Sequence, residues 1–126
     1  MIPVLVEVAR DIEHLCPNAI FINFSNPLTV NIRAITRTTG VKVAGLCYGV
    51  TWHQHYLGSL IGLPFDQLSC RAIGVNHFTW ITDLSYQGKS VWPQVHKVLE
   101  ERGESLGNPY TWELFRLFDA YPCVGD

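Results

Sequence analysis

The chain has 126 residues, of which 48% are hydrophobic and 16% charged, and its net charge is -2. This length is typical of one domain with a real core, and the apolar composition predicts a surface that meets more protein, as in a homo-oligomer of the intact protein. The small net charge argues against nucleic acid and anionic membranes as partners, and no apolar run approaches the roughly 20 residues of a membrane-spanning helix.

The first third of the chain alternates helix and strand signals. Apolar residues at helical spacing predict a helix over 5–15 and, after Pro27, a second helix that ends with Gly40 in a left-handed conformation. Two short apolar segments, 19–23 and 42–46, predict strands that are fully buried. Short buried strands separated by helices favour a parallel α/β sheet.

The rest of the chain has a different pattern. A helix is predicted over 51–61, and near residue 65 the parallel sheet is expected to give way to a mixed α+β region. Strand composition then extends over 70–91, with Gln87-Gly88 as a hairpin turn. Two helices, near 93–102 and 109–118, are predicted at the end.

Polar side chains follow three of the predicted strands. Asn23 and Asn26 follow the first, Cys47 the second, and Asn76 with His77 the third. Ligands bind beyond the carboxyl ends of the strands in open parallel sheets. A thiol, an imidazole and amides at one sheet edge predict an open divalent-metal site beside hydroxyl-binding groups. Each residue alone also has a plainer explanation: a turn, a small buried hydrophobe, or a structural imidazole.

The cysteines indicate a reducing environment. The four cysteines form no CxxC pair and lie in unrelated contexts, so free thiols are expected rather than a disulfide framework. The opening segment MIPVLVEVARDIEH lacks the basic flank of a signal peptide. Both observations predict a cytoplasmic protein.

Three segments together resemble a known enzyme family. The segments NFSNPLTV, GLCYG and GVNHFTWI occur in this order, with 30 positions from Cys47 to His77. They resemble the NAD- and manganese-dependent glycosidases of glycoside hydrolase family 4, and the closing ELFRLFDAYPCVGD resembles the family's segment near its catalytic residues. The resemblance implies the fold shared by these glycosidases and the lactate and malate dehydrogenases.

The resemblance also implies that the chain is an internal piece of such an enzyme. The family begins with a Rossmann unit that carries a glycine-rich phosphate loop, and no G-x-G-x-x-G segment occurs here. Residues 1–64 are then expected to end the NAD-binding Rossmann-like domain. Residues 65–126 are expected to begin the catalytic domain, and such a piece is expected to be inactive alone.

The activity implied by the resemblance is hydrolysis of a small-molecule glycoside without the usual two-carboxylate scheme. NAD takes a hydride from C3 of the sugar, a base removes the acidified C2 proton, and the aglycone leaves C1 by elimination. Water then adds and the hydride returns. Mn²⁺ or another divalent metal acts as Lewis acid and template, with Cys47 and His77 as its ligands by motif.

Five further residues receive roles from the resemblance. Asn26 and Asn76 are expected to bind sugar hydroxyls, since an amide both donates and accepts hydrogen bonds, and Asn23 is expected near the cofactor. Tyr121 matches the catalytic base and Asp126 an acidic residue near the sugar. The alternative for Tyr121 is an aromatic side chain that anchors the last helix.

Tyr48 departs from the family pattern and bears on the substrate. Members that cleave phosphorylated α-glycosides place a carboxylate acid after the metal cysteine, so Tyr48 favours unphosphorylated α-galactosides, α-glucosides or α-glucuronides. It also leaves the general acid unidentified. Nearby, Trp52, His53 and His55 are interpreted as an exposed helix face rather than a pocket lining.

Two alternatives remain open. Lactate and malate dehydrogenases share the strand, Asn-Pro, helix order and a catalytic histidine, but they need an Asp-x-x-Arg pairing that no aspartate of this chain offers. The other alternative is an inactive remnant, because the phosphate loop is missing. Binding of NAD and manganese distinguishes a remnant from an enzyme.

Overall fold

The computed structural model describes residues 1–124, except for the side chain of Glu104. Within that range no helix is both long and apolar enough to cross a bilayer. The chain packs into two compact units, Met1–Cys47 and Tyr48–Asp126, each with its own sheet. The predicted domain boundary between residues 64 and 65 stays a prediction.

The first unit is a small parallel α/β assembly. Its elements are α1 (Ile2–Leu15), β1 (Ile20–Asn23), α2 (Leu28–Thr38) and β2 (Lys42–Gly45). The two strands pair in parallel from Ile20 with Lys42 to Asn23 with Gly45. The predicted order and the parallel pairing are confirmed, so the carboxyl ends of both strands lie at the same edge of this sheet.

One face of this sheet is bare. Successive side chains of a strand point to opposite faces, so Ile20 and Ile22, two positions apart in β1, point to the same face. Their side chains are 64% and 59% exposed. The prediction of fully buried strands is therefore wrong for β1, and it is also wrong for β2, in which only Val43 is partly buried. The apolar composition of the strand matches the interior of a larger parallel sheet, which is covered on both faces.

The end of α2 also differs from the prediction. Thr39 caps the helix in an extended conformation, with φ -141° and ψ 161°, and Gly40 is not left-handed. The Gly40 N–H instead donates to Oε1 of Glu13 in α1 at 2.6 Å, and a Cβ on Gly40 would lie 3.0 Å from that oxygen. Gly40 therefore does not provide a left-handed helix exit, and a side chain at this position would meet only the end of the flexible Glu13 side chain.

The second unit is an antiparallel α+β assembly, as the composition after residue 65 predicts. Its elements are α3 (Gly49–Ile61), β3 (Leu68–Val75), β4 (Phe78–Tyr86), β5 (Lys89–Ser90), α4 (Trp92–Arg102), α5 (Pro109–Phe118) and β6 (Tyr121–Cys123), with short 3₁₀ turns at Phe65–Gln67 and Gly103–Leu106. Strand β4 is central and pairs antiparallel with β3, β5 and β6. The sequence does not predict β6, which is only three residues long.

Asn76 and His77 lie in a turn rather than at the end of a parallel strand. Val75 pairs with Phe78, so only these two residues connect β3 to β4. The expectation that three strand ends share one sheet edge is wrong, because β3 belongs to a separate antiparallel sheet. The predicted turn at Gln87-Gly88 is confirmed, with φ of 50° and 76°.

Aromatic rings dominate the core of the second unit. Phe115 of α5 is fully buried, at 0% exposure. Its ring lies against those of Trp92, His96, Trp112 and Tyr121, with centroid separations of 5.1, 4.6, 6.1 and 6.2 Å. Buried aliphatic residues of β4, α3 and α4 join this cluster. The core therefore fixes α5 and β6 against the rest of the second unit.

Candidate active site

The ends of β1 and β2 bring two predicted site segments together within the first unit. The backbone oxygen of Asn23, at the end of β1, accepts a hydrogen bond at 3.0 Å from the N–H of Leu46. Cys47 is the next residue, and its side chain is exposed with a free thiol. The predicted proximity of the first two strand ends is therefore found, and Cys47 is open to a ligand.

The loop after β1 is held by hydrogen bonds among its own polar groups. Nδ2 of Asn23 donates to the Ser25 carbonyl oxygen at 3.0 Å, and the Ser25 hydroxyl donates to Oδ1 of Asn23 at 2.7 Å. Asn26 is exposed, and its side chain has no hydrogen-bond partner within the described part of the chain. Asn23 therefore shapes the loop, whereas Asn26 is available to a ligand.

Asn31 belongs to this loop system and escapes the sequence analysis. Its Nδ2 donates to the Ser25 carbonyl oxygen at 3.1 Å from the first turns of α2. Leu28, Asn31 and Ile35 are the buried residues of α2, and their spacing places them on one face of the helix. The sequence could have indicated Asn31, because it is a polar residue at a helix position where the spacing of Leu28 and Ile35 predicts a buried apolar side chain.

The turn between β3 and β4 presents two site residues of the second unit. His77 has a left-handed backbone, with φ 62°, and an exposed side chain. Among non-glycine residues, asparagine, aspartate and histidine are enriched in this conformation. Nδ2 of Asn76 is buried and has no hydrogen-bond partner in the described residues. The turn thus offers an exposed imidazole beside an unused amide donor.

We expect His77→Gly to be more stable than His77→Ala by about 1 kcal/mol, because glycine adopts the left-handed conformation without the clash of a Cβ. Urea unfolding of the two variants measures the difference. Both lack the imidazole, so each serves as the other's control. Equal stabilities, or a more stable alanine variant, would contradict the strain assigned to this turn.

The described residues do not contain the ligands of a closed structural metal site. No group of three or more His, Cys, Asp or Glu side chains that could hold a metal occurs among residues 1–124. A structural zinc site needs four such ligands. Cys47 in the first unit and His77 in the second are exposed. A thiol and an imidazole suit a divalent transition metal that keeps positions for substrate.

Tyr121 lies in the core of the second unit. It is 3% exposed, and its ring centroid lies 5.3 Å from that of Trp112 and 5.7 Å from that of His53. This is the position expected of an aromatic that anchors the last helix. Its catalytic role stays a prediction. Asp126 lies outside the described residues.

Helix α3 is only partly the exposed face that the sequence indicates. Trp52 and His55 are exposed, but His53 is buried. The His53 Nδ1–H donates to the Gly49 carbonyl oxygen at 2.7 Å. The interpretation is therefore wrong for His53, whose ring packs against Tyr121.

The four thiols differ in exposure, which predicts their order of reaction. Cys16 and Cys47 are exposed, Cys70 is half-buried and Cys123 is buried. Burial, reinforced by the nearby Cys70 thiol, raises the pKa of Cys123 to about 12. At pH 8 roughly one Cys123 in 10⁴ is then a thiolate.

We expect a disulfide reagent at pH 8 to label Cys16 and Cys47 within minutes and Cys123 only in urea, because the thiolate is the reacting form. Peptide mass spectrometry of the labelled chain measures the order. The urea-unfolded chain, in which all four thiols react, is the control. Labelling of Cys123 in the native chain at the rate of Cys16 would contradict its burial.

Two family descriptions match the chain. Residues 1–63 match "Family 4 glycosyl hydrolase", and residues 72–126 match "Family 4 glycosyl hydrolase C-terminal domain". An alpha-galactosidase of Bacillus subtilis is 33% identical over 95% of this chain and 28% of its own length. The chain therefore spans less than a third of this relative.

Solved structures show the same fold. A 6-phospho-alpha-glucosidase from gut microorganisms, in complex with NAD and Mn²⁺, superposes with a TM-score of 0.81 at 20% identity, over 96% of this chain and 32% of that one. A lactate dehydrogenase from Eimeria maxima with NADH and oxamate gives a TM-score of 0.67 at 21% identity, over 96% of this chain and 42% of that one. The predicted fold class is confirmed.

Proposed function

The chain belongs to glycosyl hydrolase family 4, and from this we propose that the complete protein hydrolyses O-glycosidic bonds by redox elimination, with NAD and a divalent metal such as Mn²⁺. The observation that carries the proposal is the exposure of Cys47 and His77, two side chains with metal-ligand chemistry, in the segments that resemble the family. The relative's alpha-galactosidase activity and the neighbour's NAD and Mn²⁺ support it.

Cys47 and His77 are the proposed metal ligands. Cys47 follows a strand end that a backbone hydrogen bond fixes, and His77 lies at a tight two-residue turn, so both backbones are held while the side chains stay open. When bound, the metal supplies Lewis-acid stabilisation of charge on sugar oxygens. Two protein ligands leave coordination positions for the substrate, as in other catalytic sites.

Asn26 and Asn76 are the proposed sugar-binding residues. The exposed amide of Asn26 can donate to one hydroxyl and accept from another. Asn76 is proposed on the family resemblance; its Nδ2 is buried and has no hydrogen-bond partner in the described residues. We propose that these amides orient the sugar.

NAD has weaker support from the chain itself. No G-x-G-x-x-G segment is present, so these residues offer no recognised cradle for the pyrophosphate. Both side-chain amide atoms of Asn23 are hydrogen bonded to Ser25, so we propose that Asn23 acts near the cofactor by shaping the loop.

We propose Tyr121 as the base and Asp126 as an acidic residue near the sugar, on the family resemblance alone.

The proposed substrates are unphosphorylated α-galactosides, α-glucosides or α-glucuronides. The exposed Tyr48 supports this, because it stands where members acting on phosphorylated α-glycosides have a carboxylate. We also propose a cytoplasmic location and a homo-oligomeric complete protein, which the exposed apolar side chains support.

Deuterium incorporation from solvent into the released sugar tests the proposed mechanism. The complete protein is incubated in D₂O with Mn²⁺, NAD⁺ and the p-nitrophenyl α-glycoside of each sugar. Redox elimination removes the C2 proton, so NMR of the released sugar should show deuterium at C2. Two-carboxylate hydrolysis leaves the C2 proton in place and would refute the mechanism.

Omission of each cofactor provides the controls. Chelation of the metal or removal of NAD⁺ should abolish turnover. A complete protein that binds neither NAD nor Mn²⁺ would instead be the inactive remnant. Oxidation of lactate or malate without glycoside cleavage would identify the dehydrogenase alternative.

A further inference from the structure

A buried hydrogen-bond network lies between the end of β1 and the start of α2. Ser25 is at its centre: its carbonyl oxygen accepts from Nδ2 of Asn23 at 3.0 Å and from Nδ2 of Asn31 at 3.1 Å. Its hydroxyl donates to Oδ1 of Asn23 at 2.7 Å and accepts from Nδ2 of Asn31 at 3.4 Å. Three side chains therefore hold one short loop.

Asn31 is not explained by packing. It is fully buried, at 0% exposure, on the face of α2 that it shares with Leu28 and Ile35. Its Oδ1 is buried and has no hydrogen-bond partner in the part of the chain that the structure describes. A buried acceptor without a donor costs stability that leucine, with the same number of side-chain non-hydrogen atoms, would not cost. The two hydrogen bonds to Ser25 are what asparagine adds.

These hydrogen bonds also tie the start of α2 to the loop that precedes it. Pro27 is the N-cap residue of α2 and makes no side-chain cap hydrogen bond. Asn31 connects the first turn of the helix to Ser25, across the exposed Asn26. The backbone around Asn26 is therefore held from both sides, by β1 and by α2.

The same network reaches the segment before Cys47. The side chain of Asn23 is fixed by Ser25, and its backbone oxygen accepts from the Leu46 N–H at 3.0 Å. A displacement of the loop would therefore move the hydrogen-bonded start of the Cys47 segment as well. The positions of Asn26 and Cys47, two proposed site residues, therefore both depend on the buried side chain of Asn31.

We propose that Asn31 is a positioning residue that acts through Ser25 and Asn23 to fix Asn26 and Cys47. It does not itself touch the substrate or the metal. This inference rests on the proposed function, since Asn26 and Cys47 have their binding roles there. It adds a residue that the sequence motif does not include.

The first test compares Asn31→Leu with wild type in the complete protein, with Mn²⁺, NAD⁺ and the p-nitrophenyl glycoside that it cleaves best. We expect kcat/KM to fall about 10- to 100-fold, as for other residues that orient metal ligands, and Mn²⁺ affinity to weaken. Measurements are made at a temperature at which both proteins are fully folded. A purely structural role would lower the melting temperature without these changes.

A double-mutant cycle tests the path through Ser25. Ser25→Ala removes the hydroxyl of the network, and its effect on kcat/KM should not add to that of Asn31→Leu. Thr38→Val is the matched control in α2, because its exposed hydroxyl donates only to the Ala34 carbonyl oxygen of the same helix. We expect the control to change kcat/KM less than about twofold.

Amide hydrogen exchange gives a readout that does not need activity. In Asn31→Leu we expect exchange of the Leu46 amide, whose N–H donates to the Asn23 backbone oxygen, to accelerate at least about tenfold, while the second half of α2 keeps its protection. If the wild-type protein cleaves no glycoside, the proposed function fails alone, and this exchange result decides the positioning role. Unchanged exchange, additive effects or unchanged kinetics of an active Asn31→Leu enzyme would overturn the inference.

Discussion

Cys47→Ser is expected to lower manganese-dependent turnover of the complete protein by more than about 100-fold, beyond the loss typical of residues that only orient ligands. Serine keeps the shape of the side chain but replaces a soft thiolate by a hydroxyl that binds a divalent transition metal poorly. The Leu46 backbone hydrogen bond does not involve this side chain and should persist. NAD affinity should therefore remain nearly unchanged.

Steady-state kinetics and Mn²⁺ titration measure the loss, and the fluorescence of NADH measures binding of the nicotinamide cofactor. Cys16→Ser is the matched control, since Cys16 is also an exposed free thiol of the first unit. The control should keep its activity. Normal manganese-dependent turnover in Cys47→Ser would remove Cys47 from the site, and equal losses in both variants would point to general damage.

Phe115→Ala is expected to destabilise the chain by about 3–5 kcal/mol, the cost of a large cavity in a packed core. The ring is fully buried and lies against four other rings of α4, α5 and β6. Loss of this ring removes contacts with Tyr121, so β6 should lose its packing against α5. Urea unfolding followed by tryptophan fluorescence measures the change.

Leu117→Ala is the control for this substitution, because Leu117 lies in the same helix and is 66% exposed. We expect it to change the free energy of unfolding by no more than about 0.5 kcal/mol. Similar effects at the two positions would show that helix propensity, rather than the cavity, accounts for the loss at Phe115.

Local sequence patterns predict the elements well because their causes are local. Helical spacing gives α1 and α2, and apolar segments between them give the parallel pair of β1 and β2. The Gln87-Gly88 turn follows from glycine's tolerance of positive φ. These features need no knowledge of which segments meet in space.

Features that depend on long-range packing are predicted less well. Asn76 and His77 form a hairpin turn without glycine or proline, so the pattern does not separate β3 from β4. Gly40 donates to the Glu13 side chain of α1, and His53 is buried where Tyr121 packs on it. The turn at Asn76-His77 is local, but for Gly40 and His53 the neighbouring residue lies more than 20 positions away in the chain.

The residues of the candidate site also differ in how well the sequence predicts them. Motifs indicate the side chains that carry chemistry, such as Cys47 and His77, since residue type alone limits what can bind a metal. They do not indicate Asn31, whose contribution depends on where its amide lies. The joint binding of one cation by Cys47 and His77 stays a prediction.

The bare face of the first sheet has a consequence for handling the isolated chain. Strand β1 exposes Ile20 and Ile22, and a parallel pair of two strands leaves both of its outer edges without partners. Such edges are templates for intermolecular pairing, and a net charge of -2 supplies little colloidal repulsion. Preparations of this chain alone should therefore precipitate at concentrations that a more highly charged domain of equal size tolerates.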